Sequence, residues 1–214
     1  MKPLNQRYTA DFFAEWGRHN RPYIESAAKI AGKIYELFKP GTMADLGCGC
    51  GVYGYQFQQL GAKVLALDGV VPPKEHAFPL DFILANLAEP LVNRPEKFDL
   101  AICFEVGEHI EPERSDVFLQ NVTQFSDRVL LSCAPPNQGG HFHINEQPKR
   151  YWVKKMSERG FLYNRVLTGK LQEAFRVDPP AHLWMSSQIS VYGKVGEFEV
   201  VEKNMPFRIR YENR

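Results

Sequence analysis

The sequence predicts an α/β fold: a doubly wound, mostly parallel seven-stranded sheet with an antiparallel C-terminal edge. Three observations predict it. Short apolar runs alternate with helix-period patterns along the first 160 residues. The runs are apolar throughout, as in strands covered on both faces. A glycine cluster, "GCGCGVYG" (47–54), follows the first run directly, where a strand–turn–helix unit needs bare backbone.

In chain order, Ile24, Ala27, Ala28, Ala31, Ile34, Leu37 and Phe38 recur at three- and four-residue steps and mark a helix that Pro40-Gly41 stops. "TMADL" (42–46) reads as a strand, 52–60 as a helix opened by the glycines, and "KVLALD" (63–68), "DFILANL" (81–87) and "FDLAICFE" (98–105) as strands. "PERSDVFLQNVTQF" (112–125) reads as a helix, "RVLLSCA" (128–134) as a strand, and "EQPKRYWVKKMSER" (146–159) as a helix closed by Gly160. The tail changes character. "FLYNRVL" (161–167), "SSQISVYGKV" (186–195) and "FEVVEK" (198–203) read as strands without helices between them, which places the antiparallel edge there. The basic end, "PFRIRYENR" (206–214), reads as a solvated strand end.

At 214 residues, with 44% hydrophobic and 24% charged residues, the chain fits one soluble domain over 1–214. The 26 basic and 25 acidic residues leave a formal net charge of +1, with no concentrated basic block, so no nucleic-acid partner is expected. The N-terminus lacks the apolar core of a secretion signal, and no run is long enough to span a membrane, so the expected location is cytoplasmic. Cys48, Cys50, Cys103 and Cys133 form no C-x-x-C pair and read as buried free thiols rather than zinc ligands. Oligomeric state is left open.

The glycine cluster carries two overlapping cofactor fingerprints. Gly47, Gly49 and Gly51 read as G-x-G-x-G, while Gly49, Gly51 and Gly54 read as the G-x-G-x-x-G of a dinucleotide site. Asp68, ending the second strand, suits a ribose diol, which both candidate cofactors possess. Other features separate them. Asp45, two residues before Gly47, would repel a pyrophosphate and welcome an ammonium or sulfonium. Asn86 and Leu87 end the third strand, where amide and backbone groups could read an adenine edge, and "FDLAICFEVGEHIEPE" ends the fourth in acids around His109. A cationic cofactor fits better than a dianionic one.

In "ADLGCGCG" (44–51), "VLALDG" (64–69), "ANLAEPL" (85–91) and "FDLAICFEVGEHI" (98–110), the chain resembles the class I S-adenosylmethionine-dependent methyltransferases, which are Rossmann-like. The resemblance covers roughly residues 25–165. It implies S-adenosyl-L-methionine as cofactor, with Gly47, Gly49 and Gly51 lining the methionine moiety and Asp45 near its ammonium. Asp68 would hold the ribose, Asn86 and Leu87 flank the adenine, and Glu105 face the sulfonium region. The family often has Asp where this chain has Asn86, so adenine recognition would run through the amide or the Leu87 backbone.

On the acceptor side, "PPNQGGHFHINEQPKRYW" (135–152) forms a long loop after the fifth strand. In an extended segment His141 and His143 would point to one side and supply a general base. Packing is the competing role for both histidines, with Asn145 capping the next helix and Pro148 in its first turn. His109 is a further base candidate, set against a role at a helix entry beside Glu108 and Glu111. His141, His143 and Glu146 lack a complete ligand set, so no metal is assigned. Residues 1–23 are a candidate lid, with Trp16 or Tyr23 against a sulfonium and Arg21 against a carboxylate. Trp184 and Met185 in "HLWMSS" read as core more than as acceptor contacts. The resulting expectation is methyl transfer to oxygen or nitrogen of a small molecule. The rival classes are a nicotinamide (NAD(P)-dependent) oxidoreductase using 49–54 and a non-catalytic S-adenosylmethionine-binding module.

Overall fold

Every residue of the strand Leu100–Phe104 is buried, and its side chains divide between two cores. Leu100, Ile102 and Phe104 join one cluster, and Ala101 and Cys103 the other. A strand apolar on both faces needs cover on both, and that requirement fixes the architecture. The computed structural model describes residues 3–92, 96–182 and 184–196.

The helices are α1 (Leu4–Arg7), α2 (Ala10–Trp16), α3 (Arg21–Phe38), α4 (Val52–Gln59), α5 (Ser115–Gln124), α6 (Lys149–Ser157), α7 (Arg165–Val177) and α8 (Trp184–Ser187). The strands are β1 (Thr42–Leu46), β2 (Lys63–Asp68), β3 (Phe82–Leu84), β4 (Leu100–Phe104), β5 (Arg128–Ser132), β6 (Phe161–Tyr163) and β7 (Ser190–Lys194). They form one sheet in the order β3-β2-β1-β4-β5-β7-β6. The antiparallel strand of the C-terminal margin is β7, inserted between β5 and β6 and antiparallel to both. α3, α4 and α7 contribute to one core, α5 and α6 to the other. Strand order reverses between β1 and β4, and a crevice opens there at the carboxyl ends of the strands.

α3 starts where the Asn20 side chain accepts a hydrogen bond from the Tyr23 amide, buries Ala27, Ile30, Ala31 and Ile34, and ends at Lys39 in the left-handed region. All four cysteines are buried and unbridged, as the sequence predicts. No described helix is long and apolar enough to cross a membrane.

Several expectations need correction. "FLYNRVL" is not one strand: β6 stops at Tyr163, Asn164 accepts from the Leu167 amide, and α7 follows for 13 residues with Leu167, Leu171 and Phe175 buried. "SSQISVYGKV" begins in α8, and only Ser190–Lys194 is strand. "DFILANL" keeps three strand residues, because beyond Leu84 the chain turns away to form the 86–91 segment. Asn145 does not cap α6; Pro148 holds that position without a side-chain cap bond. Asn145 is buried instead, its amide 3.1 Å from Ser115 Oγ. "FEVVEK" and "PFRIRYENR" lie outside the described residues.

Buried Asn121 on α5 fixes the turn after β3. Its amide nitrogen donates to the carbonyls of Leu87 (2.8 Å) and Glu89 (2.7 Å), and its oxygen accepts from the Leu91 amide. Asn121→Ala would strip three backbone groups of their partner at once. We expect a loss of about 2–4 kcal/mol in urea-melt stability; a loss under about 0.5 kcal/mol would refute this anchoring.

Candidate active site

A cavity of about 540 Å³ lies at the β1/β4 switch point, a size ordinary for a small-molecule site. Its walls include Asp45, Asp68, Glu105 and Glu108, and among the described residues no lysine or arginine. Among the described lining residues, four carboxyl groups therefore meet no basic side chain except histidine, while Arg7 stands behind the wall over the Tyr8 ring.

Asp45 sits near the end of β1, 3% exposed, with Oδ2 accepting from the Gly54 amide at 2.8 Å. Burial pushes its carboxyl up to about 7; the Gly54 bond opposes the shift and the Asp68 charge adds to it. Asp68 ends β2. Its Oδ2 accepts from the Gly49 amide (2.8 Å) and its Oδ1 from the Val70 amide (3.0 Å), yet burial still raises its carboxyl. The loop between β1 and α4 is thus clamped from both sides. Gly47 needs its bare backbone: φ is +76°, and a Cβ would overlap the Val106 side chain. Gly49 also has positive φ, but a Cβ there would meet only open space.

Asn86 and Leu87 line the cavity as well. The Asn86 oxygen accepts from the Ala88 amide (2.9 Å), so its side chain shapes the turn, and Leu87 is buried. Glu105, just past β4, adopts φ +55°, uncommon for a residue with a Cβ. Its Oε2 accepts from the Gln138 amide nitrogen at 3.0 Å. Burial raises Glu105, and Glu108 is raised well above the usual range by burial and then by the Glu105 charge.

The histidines do not share a face as an extended segment would place them. Phe142 between them is left-handed (φ +60°), so both line the cavity but meet different neighbours. His141 is exposed at the rim, 4.0 Å from Glu15. His143 turns inward: its Nδ1 lies 2.9 Å from Glu146 Oε1, and its ring meets the His109 ring edge-on at 5.0 Å. Glu146 also accepts from the Asn137 and Gly139 amides, both at 2.7 Å, so one carboxylate organises the loop and orients His143. His109 closes a 3-10 turn (Gly107–His109) that faces the cavity, a placement sequence reasoning weighed below a helix-entry role. Its pKa is lowered to about 4, by burial first and the neighbouring His143 second.

The outer wall is aromatic. Tyr8, Phe12 and Trp16 from the N-terminal segment face Phe142, His141 and Trp184 in edge-to-face contacts. Tyr23 and Met185 also line the cavity; Arg21 is exposed and is not among the lining residues.

This geometry has close counterparts. The chain superimposes on a 1,6-didemethyltoxoflavin-N1-methyltransferase of Burkholderia thailandensis, crystallised with 1,6-didemethyltoxoflavin and S-adenosylhomocysteine, at TM-score 0.60 and 17% identity, covering 91% of both chains. It superimposes at TM-score 0.60 on the magnesium protoporphyrin IX methyltransferase of Synechocystis PCC 6803 with bound S-adenosylhomocysteine, at 17% identity over 89% of this chain and 98% of that one. The chain has the fold of these S-adenosylhomocysteine-bound methyltransferases. Sequence relatives agree with that fold. A ubiquinone biosynthesis O-methyltransferase of Methylobacterium sp. (strain 4-46) is 32% identical over 109 residues, 47% of this chain and 39% of that protein. The mitochondrial ubiquinone biosynthesis O-methyltransferase of Schizosaccharomyces pombe is 32% identical over 106 residues, 44% of this chain and 38% of that protein. The matched stretches thus span less than half of these two relatives. No protein-family model matches the sequence. Within the methyltransferase fold, the crevice beside the glycine loop of this chain is carboxylate-rich and backed by aromatic rings.

Asp45 gives a test of this electrostatic account. Its folded pKa is raised above the ordinary carboxylate value of 3.8, so the folded chain retains a proton that the unfolded chain gives up between about pH 4 and about pH 7. Ligand-free stability therefore falls at this site as the pH rises through that window. Asp45→Asn is expected to remove that component and to raise the thermal midpoint at pH 8 by roughly 3–8 °C over wild type, with little gain at pH 4. A pH-independent difference in scanning calorimetry would contradict the assignment.

Proposed function

We propose that this protein binds S-adenosyl-L-methionine and transfers its methyl group to an oxygen or nitrogen of a small-molecule acceptor. The observation that carries the proposal is the cavity wall itself, with four carboxylates and no lysine or arginine among the described residues. Such a surface attracts a cation and repels a pyrophosphate, so it argues against the nicotinamide reading of Gly49, Gly51 and Gly54. Gly54 is also spent structurally, because its amide holds Asp45.

The donor, when bound, supplies a sulfonium-activated methyl group, and the protein's work is alignment and exclusion of water. In this reading Asp45 meets the ammonium, Gly47, Gly49 and Gly51 admit the methionine moiety along bare backbone, and Asp68 accepts from the ribose hydroxyls with lone pairs left over from Gly49 and Val70. Asn86 and Leu87 stand at the adenine end, and Glu105 faces the sulfonium region. The described part of the 1–23 segment, residues 3–23, acts as a lid whose aromatic rings suit a flat acceptor. Gln138, Gly139, Gly140 and His143 wall off the space beside the donor, which favours an enzyme over a module that only binds cofactor. Of the two loop histidines, His143 belongs at the acceptor's reacting atom and His141 at the rim. The names of the sequence relatives favour oxygen as the methylated atom.

Calorimetric titration with S-adenosylhomocysteine is expected to show one site, and titration with NADH none; the reverse would overturn the proposal. Asp68→Ala should weaken S-adenosylhomocysteine by about 1–3 kcal/mol, roughly 5- to 150-fold, through lost charge-assisted bonds and a loosened glycine loop. Unchanged affinity would refute the ribose assignment.

His143→Ala is expected to lower turnover at least tenfold while leaving that affinity within twofold. Equal loss of both would give His143 a folding role instead.

A further inference from the structure

Glu108 is fully buried, and both of its carboxylate oxygens lack a hydrogen-bond partner. The same is true of His109 Nδ1 and Glu105 Oε1, each buried and unpartnered. Buried acceptors left open are costly, more so when charged, and a Glu105–Glu108 pair beside an open imidazole nitrogen suits a bound cation. One ligand atom from each of Glu108, His109 and His143 lies within 4.8 Å of the others. Donors around a single ion at about 2.1 Å would stand roughly 3.0–4.2 Å apart, so small side-chain movements close the set.

We propose that Glu108, His109 and His143, with Glu105 as a fourth donor, form a binding site for one divalent cation of the first transition row or zinc. Two imidazoles and two carboxylates make a donor set of intermediate softness, better matched to zinc, cobalt or manganese than to calcium. The surrounding bonds orient the donors. His143 Nδ1 is engaged by Glu146 at 2.9 Å, leaving Nε2 for an ion, and Glu146 is itself fixed by two backbone amides. The Glu108 carbonyl accepts from the Ile144 and Asn145 amides, which ties the loop bearing His143 to the turn bearing Glu108 and His109. The sequence alone concealed the set, because it spans two segments 34 residues apart and does not include His141. All four donors line the same cavity as Asp45 and Asp68. The cation would hold an acceptor oxygen there; this role, unlike the site itself, rests on the methyl-transfer reading.

The test titrates tag-free, chelator-treated protein with Co²⁺ and records visible absorption, without cofactor or acceptor. One equivalent should bind with bands distinct from those of aqueous Co²⁺ and be displaced by Zn²⁺. Glu108→Gln and His143→Ala should each weaken binding at least tenfold, and Glu146→Gln roughly tenfold by freeing the His143 ring. Circular dichroism of each variant is recorded alongside, and Glu108→Gln is close to isosteric, so loss of the ion with the fold retained supports the site. An aqueous Co²⁺ spectrum in the wild type, or unchanged binding in folded Glu108→Gln and His143→Ala, overturns it. S-adenosylhomocysteine titration of the same protein separates the two proposals. Cofactor without Co²⁺ removes the metal site, whereas Co²⁺ without cofactor keeps the site and removes its role in methyl transfer.

Discussion

Buried negative charge is the constraint around which this structure is organised. Moving a carboxylate out of water is costly unless donors or a counter-charge replace the lost hydration. Asp45 and Asp68 find their donors in the backbone, at Gly54, Gly49 and Val70. Those bonds offset burial only in part, since both carboxyls stay raised. Glu105 accepts from the Gln138 side chain, whereas the Glu108 carboxyl, fully buried, faces the like charge of Glu105. The residual cost grows from the β1/β2 end of the cavity toward the β4 end, so the second end has more to gain from a bound cation.

The sheet brings these groups together without strain in most places and with strain in one. β1 pairs in register with β2, and the pattern runs on past the strand as the Gly47 and Cys48 amides both donate to the Leu67 carbonyl. That places the glycine loop within reach of the Asp68 carboxylate. Glu105 departs from the rule: a left-handed conformation at a residue with a Cβ costs about 1–2 kcal/mol. Its amide donates to Ser132 at the end of β5, which holds the chain in that turn. Just beyond, Gly107 approaches Cys133 and Trp152 so closely that a Cβ would fall 2.6 Å from the Cys133 sulfur. The sharp turn delivers Glu105, Glu108 and His109 to one wall within five residues.

Legibility of the sequence followed the range of the forces involved. Fold class, the five parallel strands and the Asp45, glycine-loop and Asp68 constellation could be read directly, because each depends on local periodicity or on a turn adjoining a strand. α7 was legible in principle: Asn164 sits at its cap, and Leu167, Leu171 and Phe175 fall at four-residue steps. The β-forming "FLY" just before it weighed toward strand. Asn145 was misjudged for a different reason. It takes its role from contacts with segments 30 or more residues away, at Ser115 and Gly107, and no local pattern records such contacts.

The two halves of the cavity are built with different stiffness. Where the cofactor is proposed to lie, walls are strand ends and backbone amides clamped by buried carboxylates, so the geometry is set by the sheet. The other half, where the acceptor is proposed to lie, is closed by α1 and α2, in which only Phe13 is buried, and by a loop held through Glu146. Among the described residues these two segments meet through ring edges, Tyr8 on Phe142 and Phe12 on His141, and through the 4.0 Å approach of His141 to Glu15. Edge-to-face contacts tolerate small displacements at a cost of about 1 kcal/mol, whereas losing a buried charge-assisted bond costs more. A donor common to many reactions needs a fixed seat, and acceptors that differ in shape need a wall that can shift. The division falls where the chain passes from sheet-anchored backbone to aromatic cover.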